Sequence, residues 1–178
     1  MDFIRIGDKV ISKEKLWSQI EKILDLRVKG LSQRETAQRM SLDRTFISRL
    51  EGLGEVRKGH RIAVVGFPIK NKVELEQMLA KEGVEFSLIM SETERWAFVQ
   101  EDSGLELFNK VMDLTTKLKS FDCLIILGSN KRIKLFQGIF NNEVIGVEIG
   151  QSPIEDDKTV DVEHLQKLIK TLKRTEYQ

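Results

Sequence analysis

Residues 31–51 read LSQRETAQRMSLDRTFISRLE, and this stretch decides the organisation of the N-terminal part of the chain. When Gln33 is counted as position one, position five is Ala37, which is small enough to let two helices touch. Positions eight, ten, fifteen and eighteen are all apolar: Met40, Leu42, Ile47 and Leu50. This spacing predicts two short helices that cross at a fixed angle and bury those side chains between them.

Capping residues mark the start of both predicted helices. Ser32 and Glu35 form an S-x-x-E capping box before the first helix, and Asp43 stands where the N-cap of the second is expected. The connecting turn contains Ser41, where a tight turn of this kind usually has Gly. We therefore expect a positive φ at or near Ser41, which is uncommon for a residue other than Gly.

This motif resembles the helix-turn-helix of transcription regulators of the Cro/lambda-repressor (XRE-like) type. The matching residues are Gln33, Ala37, Leu42, Arg44, Ile47, Ser48, Arg49, Leu50 and Glu51. The resemblance implies that the second helix enters the major groove of double-stranded DNA by its N-terminal residues. The implied DNA contacts are Gln33, Arg34, Arg44, Thr45, Ser48 and Arg49. The alternative is an ordinary pair of amphipathic helices.

The residues before the motif complete a small N-terminal domain, the head. Residues 3–11 alternate loosely and predict a small hairpin or an arm. Ser12 then caps a helix over about residues 13–29, whose apolar face carries Leu16, Ile20, Ile23 and Leu24. This helix is predicted to pack under the other two. A three-helix head of this kind also resembles the DNA-binding domain of Hin-type recombinases.

The charge distribution agrees with a nucleic-acid-binding head. Residues 1–60 hold 13 Lys and Arg against 9 Asp and Glu, a net charge of +4, whereas the remaining residues hold 16 against 19, a net charge of −3. A basic head on a mildly acidic body suits binding to DNA through the head alone. No apolar run approaches the ~18 residues of a membrane span and no signal peptide is evident, so we expect a cytoplasmic protein without membrane contact.

After residue 60 the pattern changes to alternating strands and helices. Strands are predicted at residues 61–67, 84–90, 123–127 and 143–149, and helices at 72–81, 92–100, 104–118 and 131–140, with a last helix capped by Asp161. This alternation predicts a three-layer α/β domain with a four-stranded parallel sheet in the order 2-1-3-4, Rossmann-like or flavodoxin-like. The predicted domains are therefore 1–59 and 60–178. Residues 52–59 form either a linker or a structured elbow between them.

The motifs of enzymes that share this architecture are missing. Residues 66–71, GFPIKN, lack the glycines of a dinucleotide site, and the third strand ends in Gly128-Ser129 rather than in a phospho-acceptor Asp. His60 and His164 have no ligands at metal spacing. Glu92 and Glu94 are typical of a first helical turn, and the single Cys123 lies in an apolar run typical of a buried, inert thiol. We therefore expect no catalytic residues, no cofactor and no metal.

The carboxyl ends of the predicted strands are the expected place for a ligand. The candidate effector-binding residues there are Phe67, Ser91, Ser129, Asn130, Lys131 and Gln151. The start of the helix after Ser129 offers free backbone N–H groups, and Lys131 and Arg132 add positive charge, which favours a small anionic effector. In the alternative interpretation, Ser129 or Asn130 only caps this helix and the basic pair is solvated.

Together these features predict a sequence-specific DNA-binding transcription regulator that is not an enzyme. One such motif reads only a few base pairs, so we expect a homodimer. The long segment 92–118 is the expected interface of the C-terminal dimerisation or effector domain. Two alternatives remain: a nucleotide-handling or recombinase-like enzyme targeted to DNA by its head, and a DNA-tethered adaptor that binds another protein.

Overall fold

A computed structural model of the protein describes residues 3–55, 61–100 and 103–173. The chain divides into two compact units, residues 1–55 and 56–178, which we call the head and the body. The boundary lies within the predicted linker 52–59. The first part of that segment is helical, because the last helix of the head runs through to Gly54. His60 lies outside the described residues.

The head contains a β-hairpin followed by three helices. Its elements are β1 (Phe3–Ile6), β2 (Lys9–Ser12), α1 (Lys13–Val28), α2 (Gln33–Met40) and α3 (Arg44–Gly54). The first residues form a hairpin rather than an extended arm, because β1 and β2 pair in antiparallel register. Ser12 caps α1 as predicted, because its hydroxyl accepts from the backbone N–H of Lys15.

The head has a very small core. Ile23, Ala37 and Ile47, one residue from each helix, are buried together, with Met40 and Leu50 packed against them. The wider predicted core is wrong: Leu16, Leu24 and Leu42 are each more than 40% exposed. A domain of this size buries too little surface to cover every apolar side chain of its helices.

The body is built on four parallel strands: β3 (Ile62–Gly66), β4 (Phe86–Ile89), β5 (Cys123–Ser129) and β6 (Glu143–Gly150). Its helices are α4 (Lys72–Lys81), α5 (Glu92–Gln100), α6 (Gly104–Leu118), α7 (Asn130–Ile139) and α8 (Val162–Lys173). The strands lie in the order β4-β3-β5-β6, which reads 2-1-3-4 when only these four are counted. The predicted α/β class and four-stranded parallel sheet are confirmed.

Helices cover both faces of this sheet. One core contains the inward side chains of α4 and α8, including Leu75, Leu79, Leu165 and Ile169, packed on β3 and β5. The other contains Leu118 of α6, with Ile133 and Phe136 of α7, on the opposite face. Such a three-layer arrangement follows from right-handed crossovers between parallel strands. Cys123 is buried in the first core, and burial raises the pKa of its thiol to about 11.

Only part of the apolar side chains of α6 belongs to the core of the body. Leu118 is buried, but Leu105, Phe108, Val111 and Met112 are between 43% and 71% exposed. Leu118 and the half-buried Leu114 lie on the side of the helix that meets the sheet, whereas Leu105, Phe108 and Met112 lie on a flank about a third of a turn away. The apolar residues of α6 therefore divide between a buried side and a side that faces solvent.

Gly146 is required by the packing of α7 on β6. A Cβ placed at Gly146 would overlap Ile133 Cγ2 and lie 2.9 Å from Ile133 Cδ1. We expect Gly146→Ala to lower the free energy of unfolding of the body by about 1–3 kcal/mol, the usual cost of overpacking. Urea denaturation followed by Trp96 fluorescence in a Trp17→Phe background measures this for the body alone.

Gly138 provides the matched control for this substitution. It lies in α7, and a Cβ placed there would meet nothing within 4 Å. We expect Gly138→Ala to stabilise the body by roughly 0.5–1 kcal/mol, because Ala loses less backbone entropy than Gly in a helix. Equal effects of the two substitutions would contradict the close approach of Ile133 to Gly146.

Candidate functional site

The turn between α2 and α3 has the backbone geometry that the sequence predicted. Ser41 has φ 55° and ψ 43°, which confirms the expected left-handed residue in this turn. The backbone N–H of Leu42 donates to the Ala37 carbonyl at 2.8 Å, and that of Ser41 to the Gln38 carbonyl at 3.4 Å. These two bonds form a Schellman-type C-terminal cap. The turn therefore ends α2 sharply and fixes where α3 begins.

The start of α2 carries the predicted capping box. The Glu35 backbone N–H donates to Ser32 Oγ at 3.2 Å, and the Ser32 backbone N–H donates to a Glu35 carboxylate oxygen at 2.8 Å. The hydrogen bonds from Ser32 hold the pKa of Glu35 below its ordinary value. Asp43 occupies the N-cap position of α3, but its side chain makes no capping hydrogen bond. Its carbonyl instead accepts from the backbone N–H of Phe46.

One face of α3 carries the predicted base-contacting residues. Arg44, Thr45, Ser48 and Arg49 are exposed. Helical spacing places Thr45, Ser48 and Arg49 on the side away from the buried Ile47, with Arg44 at the edge of that side, one turn before Ile47. Neither arginine has a hydrogen-bond or ion-pair partner among the described residues. Their guanidinium groups are therefore available to an external ligand. Phe46, which is not among the predicted DNA contacts, is also 44% exposed in the first turn of α3.

The two predicted contacts on α2 differ in their surroundings. Arg34 is exposed. Gln33 donates its side-chain amide to a Glu51 oxygen at 2.7 Å, and Glu51 also accepts from Arg27. These hydrogen bonds, first that from Arg27, lower the pKa of Glu51. Gln33 thus joins α2 to α3, and Glu51 joins α3 to Arg27 of α1. A phosphate would have to compete with Glu51 for the Gln33 amide.

At the carboxyl ends of the body's strands, the predicted serines act as helix caps. Ser91 Oγ accepts from the Glu94 backbone N–H at 3.2 Å at the start of α5. Ser129 is buried, and its Oγ accepts from the Arg132 backbone N–H at 3.4 Å at the start of α7. Glu92 and Glu94 lie in the first turn of α5, as predicted. The capping interpretation is therefore the one observed for Ser129.

Asn130 and Gln151 are joined to each other. Asn130 Oδ1 accepts from the backbone N–H groups of Lys131 at 2.8 Å and Ser152 at 3.3 Å. Its amide nitrogen donates to Gln151 Oε1 at 3.2 Å. These bonds hold the loop after β6 against the start of α7. Lys131 is exposed to solvent.

Phe67 is covered by Arg132 rather than by Asn130. The Arg132 guanidinium carbon lies 4.1 Å from the centre of the Phe67 ring, a cation–π contact, and the same group donates to the Phe67 carbonyl. Burial, followed by the nearby charge of Arg95, lowers the pKa of Arg132. The six predicted effector residues therefore do not form one open site. Arg132 and Arg95 instead line a neighbouring cavity together with Glu92.

The described parts of the chain hold few other chemical groups that suggest a site. His164 is exposed in the first turn of α8, where its backbone N–H donates to Asp161 Oδ1 at 2.9 Å, the predicted cap. Residues 3–55, 61–100 and 103–173 contain no cluster of three or more His, Cys, Asp and Glu side chains suited to a metal ion. Within the same ranges, no helix has the length and hydrophobicity needed to cross a bilayer.

Comparison of the chain with protein-family models, with curated proteins and with solved structures finds no match.

Proposed function

We propose that this protein is a sequence-specific DNA-binding transcription regulator whose head is a helix-turn-helix domain. The observation that carries this proposal is the exposed, unpaired basic face of α3, which follows a left-handed turn at Ser41. A helix presented in this way fits the major groove, and its first residues then reach the base edges. The net charge of +4 in residues 1–60 supports the same assignment.

The residues of this face have different chemical roles in the proposal. Arg44 and Arg49 are suited to bidentate hydrogen bonds with guanine O6 and N7. Thr45 and Ser48 offer short hydroxyl contacts between them. Arg34, on the preceding helix, is suited to a phosphate oxygen, which strengthens binding to every sequence alike.

Dimerisation through the body would supply the second half-site that useful specificity requires. Six large apolar side chains of α5 and α6 are between 43% and 71% exposed: Trp96, Val99, Leu105, Phe108, Val111 and Met112. We propose that they act as one surface, the α5–α6 surface. A half-exposed side chain of this size presents roughly 100 Å², so together they offer about 600 Å². This approaches the ~800 Å² per partner of a standard interface, and two-fold pairing of identical surfaces is the commonest assembly.

Arg44→Ala is the substitution that tests the proposed base contact. We expect binding to the specific site to weaken by about 1–3 kcal/mol, with relaxed preference at one base pair, because one bidentate contact is lost. Arg34→Ala should weaken all sequences alike and reduce the dependence of affinity on salt. Fluorescence anisotropy titrations on specific and scrambled duplexes measure the loss of affinity at a fixed salt concentration, and a salt series measures the change in salt dependence.

Lys22→Ala is the matched control, since Lys22 is an exposed cation on α1 away from the α3 face. It removes the same charge from the head, so any purely electrostatic effect should be common to Lys22→Ala and Arg44→Ala. If Arg44→Ala loses no more affinity for the specific duplex than Lys22→Ala does, Arg44 is not a base contact.

A further inference from the structure

A cavity of about 410 Å³ lies beside the carboxyl ends of the body's strands. Its walls come from α5, α7 and the loop after β6, and they include Glu92, Arg95, Trp96, Arg132, Pro153 and Ile154. This volume falls in the range of about 300–1,000 Å³ that is usual for small-molecule sites. The lining combines charged groups of both signs with an apolar wall.

Two buried polar atoms in this lining have no hydrogen-bond partner: Arg95 Nε and Glu92 Oε2. The other carboxylate oxygen, Glu92 Oε1, already accepts from a terminal nitrogen of Arg95 and from Trp96 Nε1. The cluster therefore leaves one donor and one acceptor unused. Unpaired buried polar atoms are unfavourable, and both atoms are almost fully covered by protein. A ligand that offers an acceptor to Arg95 and a donor to Glu92 would satisfy both after a small rotation of the two side chains.

A second guanidinium group strengthens the attraction for an acceptor with negative charge. Arg132 forms no salt bridge among the described residues; burial and then the charge of Arg95 lower its pKa, and the nearby charge of Glu92 only partly offsets this. Its side chain lies across Gly128, where a Cβ would come within 3.2 Å of Arg132 Cδ. Glu155 also lines the cavity, but it is exposed to solvent. Two arginines that repel each other are stabilised by an anion between them.

We propose that this cavity binds a small organic acid that carries a hydrogen-bond donor on the carbon next to its carboxylate, an α-amino or α-hydroxy acid with an apolar side chain. Arg95 Nε and Arg132 donate to the carboxylate, for which the planar guanidinium is well matched. Glu92 Oε2 accepts from the amino or hydroxyl group. Trp96, Pro153 and Ile154 cover the apolar tail. This inference goes beyond the proposed function by giving the body a ligand of stated chemistry.

Four compounds with one carbon skeleton test the proposal by isothermal titration calorimetry on the full chain. L-Leucine and L-2-hydroxy-4-methylpentanoate have both groups, 4-methylpentanoate lacks the donor, and L-leucinamide lacks the carboxylate. We expect saturable binding of at least one of the first two, and binding about tenfold weaker or worse for the last two, because each loses a charge-assisted hydrogen bond. The first two compounds distinguish an ammonium from a hydroxyl ligand.

Substitutions then assign the binding to this cavity. We expect Arg95→Gln and Glu92→Gln to weaken ligand binding about tenfold or more, and Lys134→Gln, which removes an exposed charge of α7 outside the cavity lining, to leave it unchanged. Arg132 also covers Phe67, so it is replaced by Lys rather than by Gln. Arg132→Lys keeps the positive charge but loses the planar guanidinium group. Circular dichroism and thermal unfolding of each variant separate lost binding from lost folding.

The proposal is overturned if neither acid binds saturably up to about 10 mM, if inorganic phosphate binds more tightly than both, or if folded Arg95→Gln binds as well as wild type. It is also overturned if 4-methylpentanoate binds as tightly as the α-substituted acids. DNA affinity of the ligand-free chain is measured separately by anisotropy. Loss of DNA binding with intact ligand binding would count against the proposed function only, and the reverse against this cavity only.

Discussion

Replacing Ile47 with Ala is expected to unfold the head and to abolish DNA binding. Ile47 is fully buried against Ile23 and Ala37 in a core with few other buried side chains. Truncation of a buried Ile to Ala costs about 2–5 kcal/mol, which equals much of the stability that a domain of this size can have. Urea denaturation followed by Trp17 fluorescence in a Trp96→Phe background reports on the head alone.

Thr36→Val is the control at a second fully buried position of the head, in α2. Thr36 is as deeply buried as Ile47, but its hydroxyl has no hydrogen-bond partner. A methyl group in place of this hydroxyl should stabilise the head by about 1 kcal/mol, because an unsatisfied buried group is removed. A head that tolerates Ile47→Ala, or that is destabilised by Thr36→Val, would contradict the described packing of α1, α2 and α3.

The second large effect is expected at the α5–α6 surface. Phe108 is 60% exposed on the solvent-facing flank of α6. If this surface is covered by a second copy of the chain, Phe108→Glu places a charge in an apolar interface. We expect the dimer dissociation constant to rise about 30-fold or more, as for an interface hot spot of ~2 kcal/mol. Sedimentation velocity over a concentration series measures this constant.

Val73→Glu is the matched control for Phe108→Glu. Val73 is 67% exposed, but it lies on α4, which covers the opposite face of the sheet from α6. The added charge is therefore the same, while the proposed interface is untouched. A wild-type chain that remains monomeric at micromolar concentration, or equal weakening by both substitutions, would exclude the α5–α6 surface as the dimer interface.

Local signals in the sequence predicted the helices of the body well. The bounds of α4, α5 and α6 agree with the predicted 72–81, 92–100 and 104–118, because caps and breaks are set by neighbouring residues. Ser103, for example, caps α6 by accepting from the Glu106 backbone N–H. The positive φ of Ser41 was predictable for the same reason. A tight turn between two helices of this spacing requires a left-handed residue, whichever residue type occupies the position.

The properties that depend on distant parts of the chain could not be predicted. Amphipathic spacing in α6 identified an apolar surface, but burial depends on what packs against it, and most of that surface is exposed. Similarly, nothing local to Arg95 or Arg132 indicates that they line one cavity, because helices far apart in sequence bring them together. The predicted effector-binding residues include Lys131 but not Arg132, because spacing cannot show which of two adjacent cations turns inward.

Binding-site selection from random double-stranded DNA tests the proposed DNA recognition most directly. The full chain and its Arg44→Ala and Lys22→Ala variants are selected in parallel at fixed salt. We expect wild type and Lys22→Ala to enrich the same two-fold symmetric sequence, with half-sites about 10 base pairs or a multiple apart, and Arg44→Ala to lose preference at one guanine in each half-site. No enrichment by a wild-type chain with a folded head, or an unchanged sequence selected by Arg44→Ala, would contradict recognition of DNA by the exposed face of α3.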